Sequence, residues 1–529
     1  MDFYSEIINL ILSGKINSKE TLHKTKIKLC KKYKISKIPT DSLILSKIPE
    51  DISKDDYEYL VSILQKKAMR TISGVAIVAV MTSPENCPHG LCIPCPGGPV
   101  INTPQSYTGH EPAALRATLN NFDPYLQTRN RIKQLSAIGH PIDKIDFIIM
   151  GGTFTARNPY YQEWFVKRCF DGLNNIKSKN LIDAQKKNEK AKSRCIGLTV
   201  ETRPDWFRLC HVDNCLSFGA TRVELGVQSV FDEVLYKMKR GHTVSDSIYA
   251  TEIAKNSGLK VCYHLMPGLY GSNEKMDIEC FKTIFQNQDF KPDMIKIYPT
   301  LTIKGTELYD LWIKEKYNPL STDKAAKLIA EIKKYVPEWV RIQRIQRDVP
   351  SNYIDAGVDK SNLRQYVEKE LLKNNQKCRC IRCREFGHKN LKEKIILEKD
   401  NIEMSVTNYM ASGSEEIFIS LVDQVNDALI SYLRLRDINK SHRYELNEEP
   451  CMIIRELKVV GKELAIGKKS KKAFQHKGYG KELILEAEKI CYEDFDKKTL
   501  FVLSGIGVKE YYRKLGFKDN NLYLSKKIS

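Results

Sequence analysis

The 529-residue sequence has no apolar run near the ~20 residues a membrane-spanning helix needs, so no membrane association is expected. It also lacks a basic leader: Met1-Asp2-Phe3-Tyr4-Ser5-Glu6 opens with acids, and no secretory signal is expected. The even, spread cysteines of a secreted disulfide framework are missing too, because the 15 cysteines are odd in number and clustered. Two tight cysteine clusters in a large chain fit metal binding in a reducing compartment and place the protein in the cytoplasm. Acids are outnumbered, 65 against 85 Lys and Arg, for a formal charge of +20. That excess fits a lysine-rich composition or a polyanionic partner. Its distribution favours the partner: between Lys15 and Lys37 nine lysines face one acid, Glu20, around Tyr33. A solvated helix face is the alternative. Residues 1–70, helical in pattern, are therefore expected to form a basic, nucleic-acid-binding extension. The length implies two or three domains.

What is present begins with the stretch Glu85-Asn86-Cys87-Pro88-His89-Gly90-Leu91-Cys92-Ile93-Pro94-Cys95-Pro96-Gly97-Gly98. Its spacing is C-x4-C-x2-C, and its prolines and glycines make it a loop. Three thiolates can hold three irons of a [4Fe-4S] cube and leave the fourth iron open. A zinc site with His89 as fourth ligand is the competing reading. Apolar runs at 75–81, 146–150, 195–200, 222–227, 260–266 and 294–298 read as strands. They alternate with helical patterns at 112–137, 160–174, 205–218, 230–257 and 275–286. Five βα steps imply a parallel sheet with helices outside, and six strands an open barrel. The polar strand ends, Gly151-Gly152-Thr153, Glu201-Thr202-Arg203, Gln228-Ser229, Pro267-Gly268 and Pro299-Thr300, would then share one mouth with the cysteine loop.

This arrangement resembles the radical S-adenosylmethionine superfamily, although x4-x2 departs from its commoner x3-x2 spacing. Cys95-Pro96-Gly97-Gly98-Pro99, Gln105-Ser106-Tyr107-Thr108-Gly109, Met150-Gly151-Gly152-Thr153-Phe154, Glu201-Thr202-Arg203-Pro204 and Glu224-Leu225-Gly226-Val227-Gln228-Ser229 carry the match further. With Arg240-Gly241-His242-Thr243, Tyr298-Pro299-Thr300-Leu301 and Gln346-Arg347-Asp348 they resemble, collinearly, the catalytic subunit family of the Elongator complex. The resemblance implies a [4Fe-4S] cluster on Cys87, Cys92 and Cys95, with S-adenosylmethionine at the open iron. Gly151 and Gly152 would let backbone approach its methionine moiety, and Gln228 is expected to bind cofactor as well.

Between 346 and 400 lies an expected linker with a second cluster, Cys378-Arg379-Cys380-Ile381-Arg382-Cys383. Thiolates this dense fit structural zinc. His388 is one candidate for a fourth ligand, and Cys451, reaching in from the next domain, is favoured. Residues 401–529 change to antiparallel strands, a hairpin at 416–422 and 428–436 and a strand at 451–460, with a helix at 481–491. Gln475-His476-Lys477-Gly478-Tyr479-Gly480 matches Q-x-x-G-x-G and resembles the acetyl-CoA loop of the GCN5-related N-acetyltransferase fold. Its backbone N–H groups and helix N-terminus suit a pyrophosphate, with Gln475, Gly478, Tyr479, Gly480 and Lys481 as contacts. Glu456, Leu457, Lys458 and Val459 would lie along the pantetheine arm. Tyr512, in Gly507-Val508-Lys509-Glu510-Tyr511-Tyr512, matches a tyrosine at the acyl thioester that can protonate a leaving thiolate.

The expected fold class is therefore α/β. A partial (β/α)6 radical S-adenosylmethionine barrel (71–345) is followed by an N-acetyltransferase α+β domain (401–529), with a helical extension (1–70) before them. By resemblance, a deoxyadenosyl radical takes hydrogen from the acetyl methyl of acetyl-CoA. The carbon radical adds to C5 of the wobble uridine, U34, in a tRNA anticodon stem-loop, and release with water leaves a carboxymethyl group. Lys462, Lys468, Lys469, Lys471, Lys472 and Lys477 would hold phosphates, and Lys144 would contact acetyl-CoA from the barrel. An electron donor is implied, with further Elongator subunits or a homodimer as other possible partners. Two other classes compete. One is a protein lysine acetyltransferase with an architectural iron-sulfur half and Glu456 as its general base. The other is a non-enzymatic RNA scaffold.

Overall fold

A computed structural model describes residues 2–49, 51–65, 74–395, 397–460 and 478–528. Two seven-stranded sheets dominate it. The first is wholly parallel and runs in sequence order: β1 (Ala76–Met81), β2 (Lys144–Met150), β3 (Arg194–Thr202), β4 (Arg222–Gln228), β5 (Lys260–Leu265), β6 (Met294–Ile297) and β7 (Arg341–Arg344). Six of these are the expected strands. The seventh, Arg-Ile-Gln-Arg, has no apolar run to announce it, yet pairs in register with β6 through Met294 and Ile295. The second sheet is mixed, in the order β13-β14-β12-β11-β10-β9-β8. Its strands are β8 (Ile402–Ala411), β9 (Ser414–Asp423), β10 (Ala428–Ile438), β11 (Cys451–Val459), β12 (Thr499–Val502), β13 (Lys518–Asn520) and β14 (Tyr523–Lys527).

Local chemistry explains where the expected helices divide. The 112–137 pattern splits into Pro112–Leu119 and Pro124–Ala137. Pro124 cannot continue a helix but can begin one, and the Asp123 side chain caps the new start by accepting from Leu126 N–H. The 230–257 pattern splits into Asp232–Lys237 and Val244–Lys255 around Gly241, whose φ is +68°. A Cβ there would stand 2.8 Å from His89 Cβ, so the interruption lets this loop touch the cysteine loop.

Four helices, Phe3–Leu12, Lys19–Lys32, Asp41–Leu45 and Lys54–Leu64, close an N-terminal core around Ile7, Ile11, Leu22 and Leu60. Part of the lysine run is spent on holding these helices together. Lys19 and the buried Lys26 both reach Asp41, at 2.7 and 2.5 Å, and Lys32 reaches Glu6 at 2.6 Å.

The two sheets meet through apolar packing, with Ile453, Phe501, Leu503 and Tyr523 sharing the barrel's hydrophobic cluster, and through a buried ionic network. Asp293, the residue before β6, accepts from Arg455 Nη2 at 2.5 Å and Nη1 at 3.0 Å, and from Val261 N–H at 2.8 Å. Glu416 on β9 accepts from Arg455 at 2.8 Å and from Arg436 at 2.9 Å. Arg434 reaches Glu456 at 2.9 Å and the Trp339 carbonyl at 2.7 Å. Lys255, from the barrel, adds a contact to Glu416 at 3.3 Å. Arg455 is the extra residue of a β-bulge: Arg434 pairs with Glu456 while Leu435 pairs with Ile454. The bulge turns its side chain out of the sheet and into the barrel. Close backbone packing seals the joint, since a Cβ on Gly505 would fall on the Ile196 carbonyl.

Removing one partner from a buried ionic network strands the others, at a typical cost of ~3–5 kcal/mol. Arg455→Met should lower unfolding free energy by that amount in urea titrations, and a loss below ~1 kcal/mol would contradict the network's role. Lys255 is the surplus cation, and burial pulls its pKa down to about 8. Between about pH 8 and the ordinary 10.5 only the unfolded chain still binds that proton, so stability should rise with pH there. Lys255→Met should abolish that rise, read as the difference between the two proteins' pH–stability curves.

Candidate active site spanning two sheets

The cysteine loop leaves the C-terminal end of β1 and is gripped from three sides. Gln105 Oε1 accepts from Cys87 N–H, and Ser106 N–H points at Cys95 Sγ at 3.2 Å. Arg240, from the loop after β4, donates to Cys92 Sγ at 3.4 Å, and Thr153, after β2, lies 3.5 Å from Cys87 Sγ. His89 Nε2 lies 3.0 Å from Cys92 Sγ. Among the described residues, trios of ligand atoms all within 4.8 Å of one another occur at Cys378/Cys380/Cys383 and Glu224/Cys262/His264. Cys87, Cys92 and Cys95 are spread more widely, which suits a polynuclear cluster better than a single ion. Burial pushes the Cys87 and Cys95 thiols up, so a cationic group is needed to hold them as thiolates.

Beside the loop, Gly151 (φ +134°) and Gly152 (φ +84°) bring bare backbone to the mouth, and a Cβ on Gly151 would fall on Thr82. Gln228 holds φ +66°, rare for a side-chain-bearing residue. Its Oε1 is buried without a hydrogen-bond partner, as are Arg203 Nη1, Arg240 Nε and His89 Nδ1. Orphaned donors and an acceptor around a glycine cradle fit a small zwitterionic ligand. Arg203 and Arg240 fall outside the sequence-derived site set, although both lie in the motifs quoted above. Only the fold brings them to the sulfurs.

On the far side, β11 pairs with β12 only from Cys451 to Ile454, and beyond that the strands part. Glu456, Leu457, Lys458 and Val459 line the resulting cleft with Tyr512 and the helix Tyr479–Lys489, whose N-cap Gly478 has φ +98°. Gly480 and Lys481 line it too. Gln475, His476 and Lys477 lie outside the described residues, as do Lys462, Lys468, Lys469, Lys471 and Lys472. Glu456 does not have the character of a general base: burial opposes its charge, but Lys260 and Arg434 hold its pKa down at about 2. Burial pushes the Tyr512 phenol up, so it remains a proton donor.

A single cavity of about 830 Å³ joins the two ends. It touches Cys87, Cys92 and Cys95 at one end and Glu456, Gly480 and Tyr512 at the other. Between them it runs through the barrel, past Lys144 and Lys260 at the N-terminal strand ends and Glu224 and Lys296 midway. β2 shows why: its odd residues are buried under helices while Lys144, Asp146, Ile148 and Met150 face the hollow. The site is thus a passage through the barrel rather than a cleft beside it.

The second cysteine cluster keeps three members. Cys378, Cys380 and Cys383 converge, with Lys333 Nζ 3.4 Å from Cys383 Sγ. Cys451 does not join them. It opens β11 opposite Ile438, whereas the cluster lies near the Glu385–Leu429 bridge at the other end of β10. Residues 429 and 438 are nine apart, about 30 Å along a strand. His388 is turned toward Glu385, 3.7 Å away.

The comparisons with known proteins agree along the whole chain. Residues 81–284 match the family model of the radical SAM superfamily, 292–373 its C-terminal domain, and 1–72 the ELP3 N-terminal domain. A tRNA uridine(34) acetyltransferase of Methanocaldococcus infernus is 51% identical over 97% of this chain and 96% of its own length. Elongator complex protein 3 of Saccharomyces cerevisiae is 39% identical over 95% and 91%. The solved structure of the Methanocaldococcus infernus archaeal Elp3 with residues 1–46 deleted superposes with a TM-score of 0.78 at 48% identity, covering 87% of this chain and all of that one. No described helix is long and apolar enough to cross a membrane. With the radical SAM superfamily match on the barrel and relatives this similar over nearly their full length, the chain belongs to the Elongator complex protein 3 family.

Proposed function

We propose that this protein modifies the wobble uridine of tRNA, carrying the acetyl group of acetyl-CoA to C5 of U34 to give 5-carboxymethyluridine. The observation that carries the reading is the continuous cavity between the three-cysteine loop and the β11 cleft. A thioester laid along β11 can extend its acyl end into the barrel without leaving the protein. Cys87, Cys92 and Cys95 would hold a [4Fe-4S] cluster, and Gly151, Gly152 and Gln228 would face S-adenosylmethionine. When bound, that pair supplies a radical able to take hydrogen from an unactivated methyl group, given one electron from a donor.

The chain's own residues do the rest. The backbone of 456–459, freed where β12 diverges, can pair with the amides of a pantetheine arm. The N-terminus of Tyr479–Lys489 favours a pyrophosphate. Lys144 and Lys260 line the passage with positive charge, and Tyr512 can return a proton to the departing thiolate. Exposed N-terminal lysines such as Lys28 and Lys31 suit an RNA backbone. Cys378, Cys380 and Cys383 would hold a structural zinc that fixes Arg382 against the cavity. Lysine acetylation needs a neutralising base beside the amine, and Glu456 is committed to Arg434.

Anaerobically reconstituted protein, given tRNA, acetyl-CoA, S-adenosylmethionine and a reductant, should yield carboxymethyluridine by nucleoside mass spectrometry. Cys92→Ser should abolish both that product and 5'-deoxyadenosine while keeping tRNA affinity; acetyl-CoA turnover indifferent to tRNA would point to the acetyltransferase reading. Zinc analysis should give one ion per chain, lost in Cys383→Ser. Glu456 keeps its charge from neutrality down to about pH 2. Glu456→Gln should therefore leave the shape of the pH–rate profile between pH 5 and 8 unchanged, and a shifted limb would restore it as a base.

A further inference from the structure

Formation of a carboxymethyl group from a thioester consumes water, and something must activate that water. Neither expected residue does so, since Glu456 is an ion-paired carboxylate and Tyr512 a protonated phenol. The position of the required base follows from bonding. The acyl carbonyl carbon is bonded to the methyl carbon, so a methyl brought toward the cysteine loop brings its carbonyl into the C-terminal half of the barrel.

One group there is built for the task. His264, in the C-terminal half of β5, faces the cavity, and its Nε2 lies 2.8 Å from Glu224 Oε2 on β4. Glu224 is fully buried and also takes the Lys296 ammonium, which holds the carboxylate ionised well below its usual range against the cost of burial. An ionised carboxylate only accepts, so the His264 proton sits on Nε2 and the Nδ1 lone pair is left over. Among the described residues nothing bonds Nδ1. The same trio with Cys262 has metal-ligand spacing, but the Lys296 ammonium already occupies the carboxylate where a cation would bind. The charged and titratable groups around the imidazole and its Glu224 partner are Cys262 on β5 itself, Glu224 and Arg222 on β4, Glu201 on β3, Lys296 with Tyr298 after it, and Arg344 on β7. The Tyr298 ring packs edge-on at 5.5 Å between centroids.

We propose that His264, oriented by Glu224, is the general base that hydrolyses the thioester inside the barrel; this rests on the function proposed above. Water's oxygen attacks the carbonyl carbon while its proton passes to Nδ1. The C–S bond then breaks with its electron pair on sulfur, and the thiolate takes the proton from the imidazolium. One thioester and one water give one carboxylic acid and one free coenzyme A thiol, with no change of oxidation state. Holding the base in the barrel rather than beside β11 confines hydrolysis to acyl groups that have travelled to the radical source.

The test uses acetyl-CoA deuterated at the methyl, tRNA, S-adenosylmethionine and a reductant with the wild type and His264→Gln, which keeps a donor for Glu224 but no basic nitrogen. The variant should still pass deuterium to 5'-deoxyadenosine. Its release of free coenzyme A should fall ~100-fold, and tRNA should accumulate the uridine–coenzyme A thioester adduct. If the variant makes carboxymethyluridine and free thiol at the wild-type rate, the base is elsewhere. If it loses deuterium transfer as well while melting like the wild type, His264 acts before hydrolysis and the assignment fails. If the wild type itself forms no carboxymethyluridine, the proposed function fails first. His264→Asn, run in parallel, covers the case in which the glutamine disturbs folding. Independently of turnover, ¹⁵N-histidine spectra should show a His264 signal, absent from the variants, with its proton on Nε2; a proton on Nδ1 would overturn the proposal.

Discussion

The joint built on Asp293 is the constraint from which the rest of the structure follows. Its carboxylate sits at the N-terminal end of β6, where a parallel barrel ordinarily meets solvent, and there it receives Arg455 from the second sheet. An ion buried this deeply tolerates little misplacement, because each displaced contact leaves a charge without water or partner. The second sheet is therefore fixed over the open bottom of the barrel. The β11 cleft, one residue beyond Arg455, is aimed at the lumen. In an ordinary parallel barrel the N-terminal face serves stability and the opposite face chemistry. Here the N-terminal face has become an entrance.

That entrance has use only because the lumen is not filled. Barrel interiors are packed with branched apolar side chains, whereas this one carries Asp146, Glu201, Arg222, Glu224, His264 and Lys296. These charges satisfy one another: Lys296 bridges Glu224 and Glu201, and Arg222 reaches Asp146 at 3.2 Å. Tyr107 donates to Glu201 at 3.0 Å, tying the lumen to the segment just after the cysteine loop. A paired polar lining suits an open, solvent-compatible space, and an apolar one of the same volume would favour closing up.

What is legible in the sequence is what is local in the chain. The cysteine loop, the Gly151-Gly152 pair, the first six barrel strands and the hairpin of β9 and β10 all announce themselves within a few residues. What is not legible depends on partners far away. β7 is four residues, Arg-Ile-Gln-Arg, with one apolar side chain, recognisable only beside β6. β8 carries the polar Glu403, Ser405, Thr407 and Asn408 among its apolar residues, so no run marks it. Glu456 looks like a base until Arg434 is seen against it. Cys451 looks like a fourth thiolate until the length of β10 separates it from the other three. The passage through the barrel is least legible of all. Its lining alternates with helix-covered residues in seven strands, and no single strand shows whether its inner face meets a packed core or a hollow.

A fused passage also explains why two chemistries share one chain. A radical formed on an acetyl group must meet its acceptor before it meets anything else, so the group has to arrive attached, oriented and shielded. On the proposed function, a thioester tethered along β11 would replace a bimolecular encounter with a confined reach, worth several kcal/mol in well-oriented systems. The same confinement creates a hazard, because water in a polar lumen could hydrolyse the thioester before the carbon–carbon bond forms. Separating the two ends resolves it. The β11 end offers Tyr512, a proton donor, and a Glu456 carboxylate paired with Arg434, so a thioester held there would meet no base. A base belongs only at the end where the methyl has already been presented. On the proposed function the order of the reaction would follow the length of the strands, for as long as the Arg455–Asp293 joint keeps the two ends in line.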